Sequence, residues 1–303
     1  MKISVCITTF NSQEHIEGCL QSVNFADEII VVDHESTDNT LALVKKYTKN
    51  IYTQKNDPEK IDLQKNFGFK KASNDWILSL DADERVPSDL AKEIGQKISS
   101  AGSEFVGYRI PRKNIIFGKW IQHSLWWPDL QLRLFQKGKG QYSQDNVHKD
   151  LQLSGECGKL ENVLIHENYQ SISQYLQKMD VYTQSEAKAY IASGKKVHMT
   201  DAMRLPVQDF LKTFFLQNGY RDGLHGFVLS SLQAFYAFLI FAKCWEIQGF
   251  KEENSEDFLK IVESEWMRAQ KEISYWFLTS FISRTKNPLR KIRLSIQRKA
   301  KTV

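Results

Sequence analysis

Cysteine is scarce and scattered: the 303 residues hold four, Cys6, Cys19, Cys157 and Cys244, with no Cys-x-x-Cys pair among them. That usage argues against a disulfide framework and a cysteine-built zinc site, and makes a reducing compartment the expected one. Glycine is missing from the first loop, Thr9-Phe10-Asn11-Ser12, so the chain lacks the glycine-rich loop that a sugar nucleotidyltransferase would want. A phosphotransferase with an aspartyl nucleophile would carry its Asp-x-Asp after the first strand and a second paired-acid motif later, and neither is found. Internal repeats and low-complexity tracts are absent. The first ten residues hold one lysine and only a short apolar run, which predicts a strand and not a signal peptide. With 42% hydrophobic and 25% charged residues, the composition is that of a globular chain able to bury a sizeable core.

What is present is most concentrated in Trp76-Ile-Leu-Ser-Leu-Asp81-Ala-Asp83-Glu84. An apolar run of this kind predicts a strand buried on both faces that ends in acids. Residues two apart on a strand share a face, so Asp81 and Asp83 can converge on one cation at the carboxyl edge, where open α/β sheets bind ligands. Oxygen ligands suit Mg²⁺ or Mn²⁺, and Mg²⁺ is usually held by one or two carboxylates plus substrate phosphates. A solvated acidic turn that caps the next helix would leave the same letters.

Earlier segments repeat the pattern. Lys2 to Thr8 reads as a strand, followed by a turn in which Asn11 or Ser12 caps a helix to about Val23. A second strand, Glu28 to Val32, delivers Asp33 to the same edge, with Asp38 placed as the cap of a helix running to about Lys49. Ile51 to Thr53 reads as a third strand. Strand and helix in alternation predict an α/β fold with a mostly parallel sheet and helices on both faces, which puts Thr9, Asp33 and Asp81 on neighbouring loops.

Thr8-Thr9-Phe10-Asn11, Val31-Val32-Asp33 with Ser36-Thr37-Asp38-Asn39-Thr40, and Leu80-Asp81-Ala82-Asp83-Glu84 resemble, in order and spacing, the family 2 glycosyltransferases of the Rossmann-like GT-A fold. Trp126-Trp127-Pro128-Asp129 through Phe135, with Val147-His148 after it, further resembles the bacterial subgroup that builds the lipopolysaccharide inner core. The likeness runs to about residue 250. It departs at His34, where many members carry an acid or a small polar residue, and at Lys149, where the subgroup often has Glu.

The resemblance implies an inverting transferase that moves a sugar from a nucleoside diphosphate, with uridine diphosphate glucose the first donor to test. The acceptor would be a hydroxyl of a lipid-linked saccharide, or of another cell-surface polysaccharide or glycolipid. Thr9, Asn11, Asp33, Lys65 and Asp81 would hold the donor, and Asp83, with Asp81, would hold Mg²⁺ or Mn²⁺. Asp129 would be the base, a structural aspartate salt-bridged to Arg133 or Arg112 being the alternative, and His148 is a second candidate for acid or base work. Trp126 and Trp127 would line the acceptor side, while Glu84 is read as a helix-start acid near Pro87. A non-catalytic nucleotide-sugar scaffold is the alternative from another class. The implied organisation is a catalytic domain over 1–168, a helical, acceptor-side and membrane-proximal region over 169–250, and a helical extension over 251–303.

From about Ser171 the pattern turns to long helices. Gly223 to Ala242 carries no Asp, Glu, Lys or Arg and reads as a buried or interfacial helix in preference to a span. Between Phe281 and Val303 stand Arg284, Lys286, Arg290, Lys291, Arg293, Arg298, Lys299 and Lys301, with no acid, against a net charge of +5 for the whole chain. The interleaved Leu289, Ile292, Leu294 and Ile296 make this tail amphipathic. It is expected to bring a cytoplasmic enzyme to the anionic inner face of the membrane, with no nucleic-acid partner.

Overall fold

The computed structural model describes residues 1–57, 60–99, 104–143, 151–251 and 257–302. Contacts divide the chain into two compact units, one made of residues 1–122 and 126–172, the other of 123–125 and 173–303.

The first unit is built on one sheet. Its elements are β1 (Ile3–Thr9), α1 (Ile16–Ser22), β2 (Glu28–Asp33), α2 (Thr40–Val44), β3 (Asn50–Thr53), α3 (Ile61–Lys71), β4 (Trp76–Asp81), β5 (Glu84–Arg85) and α4 (Ser88–Ser99). They are followed by β6 (Phe105–Ile116), β7 (Lys119–Trp120), β8 (Asp129–Gln136), β9 (Gly140–Tyr142), β10 (Leu151–Leu153), β11 (Glu156–Lys159) and β12 (Leu164–Tyr169). The sheet order is β3-β2-β1-β4-β8-β6-β12-β5, with β7 and β11 paired to β6, while β9 and β10 form a separate pair. The four strands β3, β2, β1 and β4 are parallel, as the alternation of apolar runs and helices predicts. Beyond them the sheet is mixed, because β8 runs antiparallel to both β4 and β6.

Successive residues of a buried strand point to opposite faces, and the core divides accordingly. One face packs Val5, Ile7, Val31, Leu78 and Leu80 against Ile16, Leu20, Leu90 and Ile94 of α1 and α4. The other packs Cys6, Ile30, Val32 and Ile77 against Phe69 of α3. Gly68 lets α3 lie close to the sheet, since a Cβ there would stand 3.1 Å from Val32 Cγ2. The helix expected to reach Lys49 stops at Val44, where i to i+3 turns at Lys46 and Tyr47 take over.

The second unit is helical: α5 (Ile172–Ala192, its first residue in the first unit), α6 (Asp201–Leu211, continued by a π-turn, Lys212–Leu216), α7 (Leu224–Ile247), α8 (Phe258–Arg284) and α9 (Pro288–Thr302). Residues 123–125 are held here: His123 N donates to Asp222 Oδ2 at 3.0 Å, and Ser124 N to the Gln217 carbonyl at 2.9 Å. Helix α7 turns Gly226, Leu229, Ser230, Ala237 and Cys244 inward. Only 22% of its most apolar stretch is buried, so the buried-helix alternative does not describe it.

Candidate active site

Strands β1, β2 and β4 end on one rim, where Thr9 stands opposite Asp33 and Thr8 opposite Asp81. Asp33 is fully buried, and its Oδ2 accepts a hydrogen bond from Ser36 N at 3.0 Å. Its Oδ1 finds no partner among the described residues, and neither do the buried Thr9 Oγ1 and His34 Nε2. An unmet buried polar atom costs about 1–3 kcal/mol, and three of them share this one edge. Burial holds the His34 imidazole below its usual pKa, opposed by Asp33 and reinforced by Lys65. Asn11 is exposed, with φ 46°. Its Oδ1 accepts from Thr37 N at 2.8 Å and its own N donates to Ser36 Oγ at 2.9 Å, so it braces the first two loops of the rim. Asp38 stands one residue before the N-cap of α2, which is Asn39 and not Asp38 as expected; it ties the turn together by accepting from Thr40 N at 3.0 Å and from Gln13 N at 3.1 Å.

Asp81 is clamped by two buried cations. Lys65 Nζ lies 2.8 Å from Oδ1, and Arg133, through its second terminal nitrogen, 2.6 Å from Oδ2. Burial opposes ionisation of Asp81, but Arg133 and then Lys65 outweigh it and hold the carboxyl well below the usual range. Lys65 is raised in turn, Asp81 outweighing its own burial. The same Arg133 nitrogen reaches Glu84 Oε1 at 2.7 Å, and Glu84 Oε2 accepts from Asp81 N at 2.9 Å.

The helix-start reading of Glu84 is therefore corrected. Glu84 is fully buried in β5, opposite His166 of β12, and acts as a strut beneath the Asp81 turn. Arg133 joins the site without belonging to any of its sequence motifs. The available signal was an arginine in the middle of an apolar strand, where a buried charge requires acids from elsewhere in the fold.

A second network begins at Asp83. Its Oδ1 is 3.6 Å from His166 Nε2, and His166 Nδ1 is 2.7 Å from Asn114 Oδ1. Asn114 Nδ2 donates to the Trp126 carbonyl and to Asp129 Oδ2, both at 3.0 Å. With Nδ2 donating twice, Asn114 Oδ1 is the acceptor, so His166 Nδ1 is the donor in that bond and Nε2 is the ring nitrogen turned toward Asp83.

Asp129 is ion-paired with Arg112, whose Nε and second terminal nitrogen lie 2.8 and 2.6 Å from Oδ2, and Gln131 Nε2 donates to Oδ1 at 2.7 Å. Burial would raise its pKa, but Arg112 and these hydrogen bonds hold it below the ordinary carboxylate range. The salt bridge expected of a structural aspartate is thus present, with Arg112 as its partner, while Arg133 serves Asp81 and Glu84. Trp126 meets the Tyr169 ring edge-on at 6.0 Å and Trp127 meets Trp120 at 5.4 Å. His148 lies outside the described residues. Among the described residues, no three His, Cys, Asp or Glu side chains form a ready metal cage.

Three comparisons bear on this geometry. The family described as Glycosyl transferase family 2 matches residues 4–154. The lipopolysaccharide core biosynthesis glycosyltransferase LpsC of Rhizobium meliloti is 28% identical over 256 residues, covering 83% of this chain and 94% of the relative. An uncharacterized glycosyltransferase of Rickettsia typhi is 32% identical over 260 residues, covering 81% and 87%. Among solved structures, Staphylococcus aureus TarS 1-349 in complex with UDP-GlcNAc aligns over 84% of this chain and 95% of that one, with 15% identity and a TM-score of 0.43.

Proposed function

The chain belongs to glycosyl transferase family 2, and from that premise we propose that it is an inverting enzyme. It would carry a sugar, glucose from uridine diphosphate glucose being the first to test, to a hydroxyl of a lipid-linked saccharide of the lipopolysaccharide inner-core type. The observation that carries this reading is the set of three buried, unpartnered polar atoms on Thr9, Asp33 and His34, on the same rim as the doubly clamped Asp81. The acceptor class is supported by the 28% identity to LpsC over 94% of that protein.

In this reading Asp33 accepts a hydrogen bond from the base or ribose, and its charge strengthens that bond. Thr9 completes the same pocket, and Asn11 keeps its two loops together. Lys65 and Arg133 hold Asp81 in one position beside the ribose, so that little reorganisation is needed as the donor reacts. Asp83 and His166 would hold a divalent cation, Mg²⁺ or Mn²⁺: a buried carboxylate oxygen and an imidazole nitrogen stand 3.6 Å apart, and Asn114 orients the ring from behind. When bound, such a cation supplies positive charge to the departing diphosphate. Asp81, with both oxygens on cations, is better suited to support that site than to complete it.

At the acceptor, the attacking hydroxyl oxygen bonds to the anomeric carbon while the bond from that carbon to the phosphate oxygen breaks. The hydroxyl proton passes to Asp129: the salt bridge to Arg112 engages Oδ2, while Oδ1 carries a single hydrogen bond among the described residues, from Gln131, and keeps a lone pair to spare. Trp126 and Trp127 offer ring faces to the acceptor sugar. The enzyme would work in the cytoplasm at the inner face of the membrane. Release of uridine diphosphate from the donor, followed with and without an inner-core lipid acceptor, tests the proposal. Acceptor-dependent release is expected, and donor binding without any release would establish the scaffold alternative.

A further inference from the structure

We infer that α9 is an in-plane membrane anchor, seated in the headgroup layer of an anionic bilayer with its apolar stripe toward the acyl chains. Reaching a lipid-linked acceptor would be the purpose of this docking and rests on the function proposed above, whereas the docking itself is a property of the helical unit.

Leu289, Ile292 and Ile296 follow an i, i+3, i+7 spacing and form one stripe on α9. They are 77%, 58% and 63% exposed. The opposite side of the helix, with Leu294 and Arg298 partly buried, turns to α8. There Arg298 donates to Thr279 Oγ1 at 3.3 Å, and its guanidinium lies 5.4 Å from the centre of the Tyr275 ring. The face that packs is thus not the apolar one, and the described chain leaves the stripe uncovered. Helical periodicity sets Arg293 and Lys299, both exposed, on the two flanks of the stripe, where long cationic side chains can reach phosphates while their stems follow the apolar surface.

Charge selects the occupant. The segment 284–303 holds eight cations and no acid. A second copy would oppose eight cations to eight. A nucleic acid would meet the cations but has no use for a leucine-isoleucine stripe. An anionic bilayer meets both. Helix α7 of the same unit adds a second apolar surface, with Phe227, Phe235, Phe238 and Trp245 at 49%, 45%, 39% and 37% exposure.

The test is co-sedimentation of the full chain with vesicles of phosphatidylglycerol and phosphatidylcholine, and with phosphatidylcholine alone, over a range of salt. The parent should bind the anionic vesicles only, and release from them as salt rises. Arg293→Gln with Lys299→Gln, two cations fewer, should weaken binding about 30-fold. Ile292→Ser with Ile296→Ser should also lose it. Circular dichroism and turnover on a delipidated saccharide acceptor should stay at parent values in both variants, since these residues are exposed and outside the site. Equal binding to neutral vesicles, variants that bind as the parent does, or a stable dimer broken by the serine pair without any vesicle binding would overturn the inference. A parent that binds vesicles but never turns over the saccharide would sink the catalytic reading and leave the anchor standing.

Discussion

At Asp129, four N–H donors from Arg112, Asn114 and Gln131 converge on two carboxylate oxygens. This keeps the group ionised and oriented, and it makes the role testable apart from binding. Asp129→Asn should lower kcat by about 10²- to 10⁴-fold while donor affinity, read by calorimetry, stays near the parent value. Parent-rate turnover in that variant would remove Asp129 from the chemistry. Asp81 and Asp129 both have carboxyls depressed in the fold. Their stabilisation is therefore fully present above the unfolded carboxylate pKa of about 3.9 and is lost as pH falls through the lower folded values. Urea midpoints should accordingly drop below about pH 4, and the drop should shrink in Asp129→Asn. Arg133→Met leaves Glu84 and Asp81 without their shared cation, which at a buried site costs about 3–5 kcal/mol in the same urea assay. The positions of Asp33, Asp81 and Asp83 were legible because apolar strands run straight into them. Arg133 and Glu84 were not, since neither neighbourhood shows that strands far apart in sequence will bring these two charges together in the core.

The elements were legible in proportion to how local their causes are. Strands β1, β2 and β4 fall within a residue of their expected ends because buried parallel strands announce themselves as apolar runs. The antiparallel entry of β8 was hidden, as Leu130 to Phe135 reads the same in either direction. So was the way α4 fixes the approach to β12: Glu93 accepts from Glu161 N and Asn162 N, each at 2.8 Å, and from Asn162 Nδ2 at 2.9 Å. Those bonds outweigh its desolvation and hold its pKa down. Glu93→Gln replaces a charged acceptor of three bonds with a neutral one and should cost about 1–3 kcal/mol. Hydrogen exchange should quicken at Glu161 and Asn162, and an unchanged rate there would dismiss the pinning role.

Across the whole molecule, chemistry and charge are segregated along the chain, with the acids of the rim in the first hundred residues and the acid-free tail at the far end. The thiols give a global check on packing. Cys6, Cys19 and Cys244 are buried and Cys157 is exposed, and burial, assisted by Glu28, pushes the Cys6 thiol up to about 12. Ellman's reagent should titrate one thiol quickly in the native chain and four in guanidinium. More than one fast thiol would mean a looser core than the one described. Residues 123–125, finally, are a graft: their backbone is fastened by Asp222 and Gln217, although their flanking residues, 122 and 126, belong to the other unit. A shortened version ending near residue 172 would keep every acid of the rim yet cut both backbone moorings of residues 123–125, so brief proteolysis is expected to nick that shortened chain at these three residues while leaving the same bonds intact in the full one.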